Sequence, residues 1–242
     1  MGLLDRISSR KSESEAAVIP PPADSDPLFS TKALRKFLGC LTSRDLPVLI
    51  DLGPVVGSNI AYFGEQLGCK IFVVDLFADL ERFAREGRID EFADFIDKKF
   101  TQESATVDGI LCWDFIDYLD KTTSQRLANQ LQRVLRPDGA LLGFFGSAVQ
   151  NGHSYYNKFI VSDEGVNLRA RAYPALRGRQ SVLLNRDIIR MFSSLRVSDS
   201  FLLKNNQRES GSWFTRSVNT DRYHFITHAG TAYAVLALKA CE

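Results

Sequence analysis

Residues 48–59 of the chain have the sequence VLIDLGPVVGSN. Residues 48–50 form a short apolar run, Asp51 ends it, and Gly53 and Gly57 lie in the stretch that follows. An apolar run without polar alternation is typical of a parallel strand that is covered on both faces. A strand that passes through a glycine turn into a helix is the repeating unit of open α/β sheets. The segment therefore predicts a buried strand, a tight turn and the start of a helix.

The same pattern recurs along the chain. Apolar runs ending in an acid lie at residues 70–75 and 107–114, and a further apolar run lies at residues 140–145. Amphipathic stretches separate these runs, so the chain predicts an α/β fold with a doubly wound, mostly parallel sheet. A strand between residues 75 and 107 stays open, because the spacing of apolar residues over 89–100 favours a helix there.

Composition excludes several classes of protein. The chain has 242 residues, of which 30 are Lys or Arg and 29 are Asp or Glu, so its formal net charge is +1. Such a balance provides no overall basic field, and we expect neither a nucleic-acid partner nor a membrane surface partner. No apolar run approaches the ~20 residues that span a bilayer. Four scattered cysteines without a C-x-x-C pair favour a reducing compartment, and we expect a cytoplasmic protein.

The N-terminal residues differ from the rest of the chain. They are rich in serine and charge and contain three consecutive prolines at 20–22. Such a segment buries too little apolar surface to offset the entropy of ordering it. We therefore expect a disordered or extended leader over residues 1–28 and a single domain over residues 29–242.

Two acids lie where a ligand would bind in this fold, at the carboxyl ends of neighbouring strands. A dinucleotide site requires G-x-G-x-x-G, which is absent, and Asp51 would bring negative charge to the phosphates. A cationic nucleoside fits better, because Asp51 can face an ammonium group and Asp75 can accept hydrogen bonds from both ribose hydroxyls. S-adenosylmethionine carries an ammonium, a sulfonium and a ribose diol.

At these positions the chain resembles the class I S-adenosylmethionine-dependent methyltransferases. Residues 48–57 are similar to the glycine-rich first motif of that family, and Asp75 to its second-strand acid. Residues 108–114 (DGILCWD) are similar to the fourth strand and the segment beside the acceptor. Residues 135–142 (LRPDGALL) are similar to the turn into strand five. The resemblance covers roughly residues 45–146.

The resemblance implies a seven-stranded sheet with an antiparallel C-terminal hairpin and S-adenosylmethionine as the cofactor. The chain would be a methyltransferase in which positioning of the acceptor supplies most of the rate of in-line transfer. The acceptor, a small molecule or a protein side chain, would enter around Asp114 and residues 147–156. The oligomeric state is not predicted. The predicted cofactor-binding residues are Asp51, Gly53 and Gly57 for the amino-acid end, Asp75 for the ribose, and Leu76 and Trp113 for the adenine.

One position departs from the family pattern D-x-G-x-G-x-G. Val55, preceded by Pro54, stands where the middle glycine is usual, and its side chain could crowd the methionine part of the cofactor. The alternative hypothesis is therefore a catalytically degenerate binding or scaffold protein that keeps the methyltransferase fold. Each acid also has a structural interpretation, as a cap of the turn after its strand, and Trp113 has one as a core residue.

The remaining polar residues give fewer indications of function. Methyl transfer requires no fixed triad, and the catalytic residue stays unknown; His153 is the candidate general base after strand five. His224 and His228 have the spacing of helical metal ligands but no third ligand nearby, so no metal site is predicted. A local group of arginines is interpreted as a solvated hairpin face, with binding of an acidic acceptor as the alternative: Arg169, Arg171, Arg177 and Arg179.

Overall fold

The structure is a computed structural model that describes residues 28–146, 154–162, 167–180, 182–203 and 232–239. Except for Leu28, the predicted leader lies outside the described residues. The chain enters through strand β1 (Leu28–Ser30) and helix α1 (Lys32–Thr42). Thr31 caps α1, because its hydroxyl accepts a hydrogen bond from the Ala33 amide at 3.2 Å.

Strands and helices then alternate as the apolar pattern predicts. Helix α2 continues directly as a π-helical segment, Ala61–Gln66, and short 3-10 turns lie at Ile89–Glu91 and Phe115–Tyr118. In chain order the elements are β2 (Val48–Asp51), α2 (Gly57–Ile60), β3 (Lys70–Val73), α3 (Leu76–Arg85), α4 (Phe92–Lys99), β4 (Val107–Trp113), α5 (Lys121–Val134), β5 (Leu135–Gly146), β6 (Tyr155–Val161), β7 (Asn167–Pro174), α6 (Asn185–Met191), β8 (Leu195–Leu203) and β9 (Ala232–Lys239).

The central sheet has the strand order β3-β2-β4-β5-β9-β8. The first four strands are parallel, whereas β9 is antiparallel to both β5 and β8. The predicted α/β fold with a mostly parallel sheet and an antiparallel C-terminal hairpin is therefore confirmed. Because β2 and β3 are paired in register, Asp51 lies opposite Val73, and the carboxyl ends of both strands meet at one edge.

The predicted count of seven strands is not confirmed, since the described residues place six strands in this sheet. Residues 76–106, all of which the structure describes, contain helices and turns but no strand. The apolar residues there have helical spacing because they form one face of α4, from which Phe92 and Ile96 are buried in the core. The sheet consequently ends at β3 on that side.

Buried side chains form two clusters on the two faces of the central sheet. One cluster contains the apolar faces of α3, α4, α5 and α6, and the other contains those of α1 and the π-helical segment. Helices on both faces are the arrangement that apolar, non-alternating strands require. No helix among the described residues has the length and apolar character needed to cross a membrane.

A second, antiparallel sheet of three strands has the order β1-β7-β6. Its strand β6 is fixed to α2 by Asn59, whose side-chain amide donates to the Phe159 carbonyl and accepts from the Val161 amide, both at 2.8 Å. Phe159 also stacks on Trp113 at the end of β4, with ring centroids 5.2 Å apart. Strand β6 therefore lies against the carboxyl edge of the central sheet.

Candidate functional site

The turn after β2 is built around the buried carboxylate of Asp51. Its Oδ1 atom accepts hydrogen bonds from the Gly53 amide at 2.9 Å and from the Trp113 indole nitrogen at 2.6 Å. Burial raises the pKa of the Asp51 carboxyl to about 6, although these two hydrogen bonds oppose the rise. The acid that the sequence places at the strand end is thus held by the residue that ends the neighbouring strand β4.

The two glycines of the turn have different surroundings. A Cβ atom on Gly53 would lie 2.6 Å from Cδ1 and 2.7 Å from Nε1 of Trp113, so the indole leaves room for no side chain at this position. A Cβ atom on Gly57 would meet no described residue within 4 Å, and Gly57 is exposed at the start of α2. Position 53 requires glycine because the Trp113 indole packs against its Cα. At Gly57 the backbone at the start of α2 is accessible.

Val55 does not crowd the turn. Its side chain is 55% exposed, so it is directed away from the packed part of the bend. The side chain that lies on Gly53 is instead that of Trp113, which is buried and also contacts Phe144. Trp113 has a φ of 49°, in the left-handed region that non-glycine residues seldom adopt. The side chain that packs on Gly53 is therefore that of Trp113, at the end of β4, and not that of Val55.

Asp75 lies on the other side of the turn, where it caps α3. Its Oδ1 atom accepts from the Ala78 amide at 2.9 Å, and its Oδ2 atom accepts from the Val55 amide at 3.4 Å. The side chain is half-buried, and it thereby joins the β2–α2 turn to the start of α3. Leu76, the next residue, is fully buried in the core. The structure brings Asp51, Gly53 and Asp75 together as the sequence predicts.

A second polar cluster lies at the carboxyl ends of β4 and β5. Asp114 and Asp117 follow β4 and are 1% and 0% exposed. The Arg179 guanidinium lies between them, with Nη2 at 3.1 Å from Asp114 Oδ2 and Nε at 3.4 Å from Asp117 Oδ2. Asp114 Oδ2 also accepts from the side-chain amide of Asn157 in β6 at 3.1 Å, and Asp117 Oδ2 accepts from the backbone amide of Gly146 at 2.7 Å.

Burial dominates the electrostatics of these two acids. It raises the pKa of both carboxyls, that of Asp117 to about 8, although the Arg179 guanidinium opposes the rise. The sequence indicated Asp114 only as a border of the acceptor region, and Asp117 was not predicted. The signal that could have found them is the pair of acids three residues apart, directly after the apolar residues 109–113 of β4.

The arginines that the sequence groups together lie in different places in the structure. Arg169 and Arg171 lie on β7, opposite Ile160 and Lys158 of β6, as the hairpin interpretation expects. Arg179 follows β7 and is buried against the two acids, so a solvated position is wrong for this residue. Its partners are 62 and 65 residues earlier in the chain, which local sequence cannot reveal.

Other predicted candidates lie elsewhere. His153, the candidate base, lies outside the described residues, as do His224 and His228. Within the described part of the chain, no three His, Cys, Asp or Glu side chains converge as a metal site would need. The catalytic residue therefore stays unassigned.

Comparison with known protein families finds one match, and it includes this site. Residues 50–143 match the family model described as a methyltransferase domain. Over this part of its length the chain is similar to methyltransferases. The resemblance to the class I S-adenosylmethionine-dependent methyltransferases is thereby confirmed, and the methyl donor of that family is S-adenosylmethionine.

Solved structures with a related fold are distant in sequence. A Burkholderia thailandensis 1,6-didemethyltoxoflavin-N1-methyltransferase, bound to 1,6-didemethyltoxoflavin and S-adenosylhomocysteine, is 15% identical; the match covers 87% of this chain and 79% of that chain, with a TM-score of 0.45. An S-adenosylmethionine-dependent methyltransferase from Clostridium acetobutylicum is 11% identical over 87% of this chain and 92% of that chain, with a TM-score of 0.49. A comparison with curated protein sequences finds no match.

The matched segment contains most of the site. The matched residues 50–143 include the glycine turn, both acids that flank it, Trp113 and the pair Asp114 and Asp117. Strands β6 and β7 and Arg179 lie beyond the match. The side chains that cover the carboxyl edge of the sheet are therefore a part of this chain that the family pattern does not describe.

Proposed function

We propose that the chain binds S-adenosylmethionine at the turn between β2 and α2 and transfers its methyl group to an acceptor beside β4 and β5. The observation that carries the proposal is the pair of carboxylates, Asp51 and Asp75, that flank Gly53 at one edge of the sheet. It is supported by the family match, which covers this turn. The two carboxylates flank a glycine, where a ligand can come close to the backbone. This arrangement suits a nucleoside that carries positive charge and a ribose diol.

The residues present fit the cofactor best at its ribose end. Asp75 keeps a half-exposed carboxylate, and a carboxylate can accept further hydrogen bonds besides those from Ala78 and Val55. Gly57 is exposed with open space around it, so a ligand can approach the backbone there. Asp51 lies behind Gly53, and its negative charge would attract the ammonium group of the cofactor. The adenine contacts proposed for Leu76 and Trp113 stay predictions, since both side chains are buried.

The chemical task left to the chain is positioning. S-adenosylmethionine, when bound, supplies a methyl group already activated by its sulfonium. Side chains after β4 would then hold the acceptor in line and keep water out, which can supply a large part of the rate. A base is needed only where the acceptor must lose a proton.

Calorimetric titration with S-adenosylhomocysteine tests the cofactor site. We expect the wild-type chain to bind and Asp75→Ser to bind at least about tenfold more weakly, because the shorter hydroxyl cannot form a bidentate contact with the ribose. Serine still caps a helix, so α3 is preserved. Asp120→Ser is the matched control, since Asp120 caps α5 by accepting from the amides of Thr122 and Thr123.

Equal affinity in the Asp75→Ser and wild-type chains would show that Asp75 is a helix cap with no part in binding. A loss of affinity in Asp120→Ser as large as in Asp75→Ser would assign the effect to helix stability. Thermal unfolding of each variant, measured alongside, separates these cases.

A second candidate function, a binding or scaffold protein that has lost the cofactor, is favoured by one observation. The Trp113 indole lies on Gly53 and donates to Asp51, which are the two positions that would face the amino-acid end of the cofactor. Absence of heat and of any thermal shift with S-adenosylhomocysteine, in both the wild-type chain and Trp113→Leu, would support this function and overturn the enzyme proposal.

A further inference from the structure

Asp114, Asp117 and Arg179 form a buried cluster in which charges of opposite sign are unequal in number. Both carboxylates face the single guanidinium through their Oδ2 atoms, at 3.1 and 3.4 Å. A Cβ atom on Gly146 would lie 2.1 Å from Arg179 Nη1, so the guanidinium packs directly on the end of β5. Two acids thus share one cation at the ligand edge of the sheet.

The other carboxylate oxygens of the pair have no partner in the part of the chain that the structure describes. Asp114 Oδ1 and Asp117 Oδ1 are both buried and accept no hydrogen bond from any described residue. A buried carboxylate oxygen without a donor costs free energy, and a second buried negative charge costs more unless a cation or a proton compensates it. The cluster therefore offers two acceptor atoms to a ligand, and the single guanidinium cannot balance both carboxylates once both are ionised.

We propose that Asp114 and Asp117 bind a positively charged nitrogen group of the methyl acceptor, a protonated amine or a guanidinium. Arg179 holds the two carboxylates through their Oδ2 atoms, and the ligand donates to the two Oδ1 atoms. The description of this ligand as the methyl acceptor rests on the proposed function.

The position of the cluster agrees with such a role. Asp114 follows Trp113 in the chain, and Trp113 touches Gly53 of the proposed cofactor turn. Asp117 contacts the end of β5 through the Gly146 amide. The cation would consequently be held beside the carboxyl ends of β4 and β5, one residue away from the side chain that covers the glycine turn.

Access to the pair depends on the segment 175–180, which connects β7 to the rest of the chain. It is fixed at one end by the Leu176 amide, which donates to the Glu81 carboxylate at 3.0 and 3.1 Å. It is fixed at the other by Arg179 and by the Gln180 amide, which donates to the Asp117 carbonyl at 2.7 Å. Apart from Arg179, whose side chain is 11% exposed, the residues of this segment are half-buried or exposed, and none belongs to an apolar cluster. Residues 175–178 can therefore move without exposing the apolar core.

Titration of the full chain with methylguanidinium at constant ionic strength tests the proposal, with neutral methylurea as the ligand control. We expect the wild-type chain to bind methylguanidinium and not methylurea. Asp114→Asn and Asp117→Asn should each bind at least about tenfold more weakly, because a charge-assisted bond becomes a neutral one. Asp120→Asn is the matched control, since Asp120 is an exposed acid three residues after Asp117.

Arg179→Gln should strengthen the binding of methylguanidinium, whereas the two Asp→Asn variants should weaken it. It leaves both carboxylates without a cation, and we expect it to bind methylguanidinium at least about tenfold more tightly than the wild-type chain does. Binding to Arg179→Gln together with no binding to the wild-type chain would overturn the proposal, because the internal guanidinium would then satisfy the pair permanently.

Titration of the same wild-type preparation with S-adenosylhomocysteine separates this inference from the proposed function. Binding of S-adenosylhomocysteine without binding of methylguanidinium overturns the cation site alone. Binding of methylguanidinium without S-adenosylhomocysteine overturns the methyltransferase proposal, and with it the description of the cation as an acceptor.

Discussion

At the scale of single residues, the glycine turn depends on one contact between distant parts of the chain. Trp113 donates to Asp51 across 62 residues and occupies the space beside Gly53. The indole can occupy this space only because Gly53 has no side chain. A substitution at either residue must disturb the other.

We predict that Gly53→Ala destabilises the chain by about 1–3 kcal/mol, because the added methyl group would overlap the Trp113 ring and force it to move. Gly57→Ala is the matched control in the same turn, where nothing lies within 4 Å of the added atom. Urea denaturation of both variants measures the difference. Equal stability of the two variants would show that the indole can move aside freely.

At the scale of elements, the smaller sheet is attached to α2 by the side chain of Asn59, which forms the kind of hydrogen bonds that a neighbouring strand would form with β6. Asn59 is 1% exposed and bonds to both a carbonyl and an amide of β6. This attachment fixes β6 where Phe159 can stack on Trp113 and Asn157 can reach Asp114. The α2–β6 contact therefore sets the position of the residues that cover the site.

Asn59→Ala is expected to cost about 2–3 kcal/mol of stability, because it leaves two backbone groups of β6 without partners. Ser58→Ala, at the exposed neighbouring position, serves as the control. Hydrogen exchange of the Val161 amide should accelerate in Asn59→Ala alone. An unchanged exchange rate would show that β6 is held by its pairing with β7 and not by α2.

At the scale of the whole molecule, three buried acids lie at one edge of the central sheet. Burial raises the pKa of Asp51 to about 6 and that of Asp117 to about 8, and it also raises the pKa of Asp114. Each acid therefore holds its proton more tightly in the folded chain than in the unfolded chain. In the interval between the two pKa values the folded state binds more protons, so stability falls as pH rises.

We predict that the free energy of unfolding decreases between about pH 5 and pH 8, by up to about 1.4 kcal/mol per pH unit for each such acid. Asp117→Asn should reduce this slope, because asparagine cannot lose a proton, whereas Asp120→Asn at an exposed position should leave it unchanged. Urea denaturation over this pH range measures the slopes. A wild-type stability that rises steadily with pH would contradict the assignment of raised pKa values to these acids.

Local physics explains why much of the fold was predictable. Apolar runs without alternation, glycine turns and helical spacing are properties of short stretches, and they gave the α/β class, the parallel strands and the helix over 92–99. The acids Asp51 and Asp75 could be placed together because parallel strands bring their carboxyl ends to one edge. The seventh strand was expected from the family resemblance, and the described sheet does without it.

The sequence by itself determined where the turn lies and which acids flank it, since strand ends and turn residues are set by neighbours in the chain. Only the tertiary structure decided what covers that turn. Three contacts do so: the Trp113 indole on Gly53, the attachment of β6 through Asn59, and the pairing of Arg179 with Asp114 and Asp117. They join residues 60 to 102 positions apart in the chain. Such contacts follow from the packing of whole elements, and no local pattern of residues specifies them.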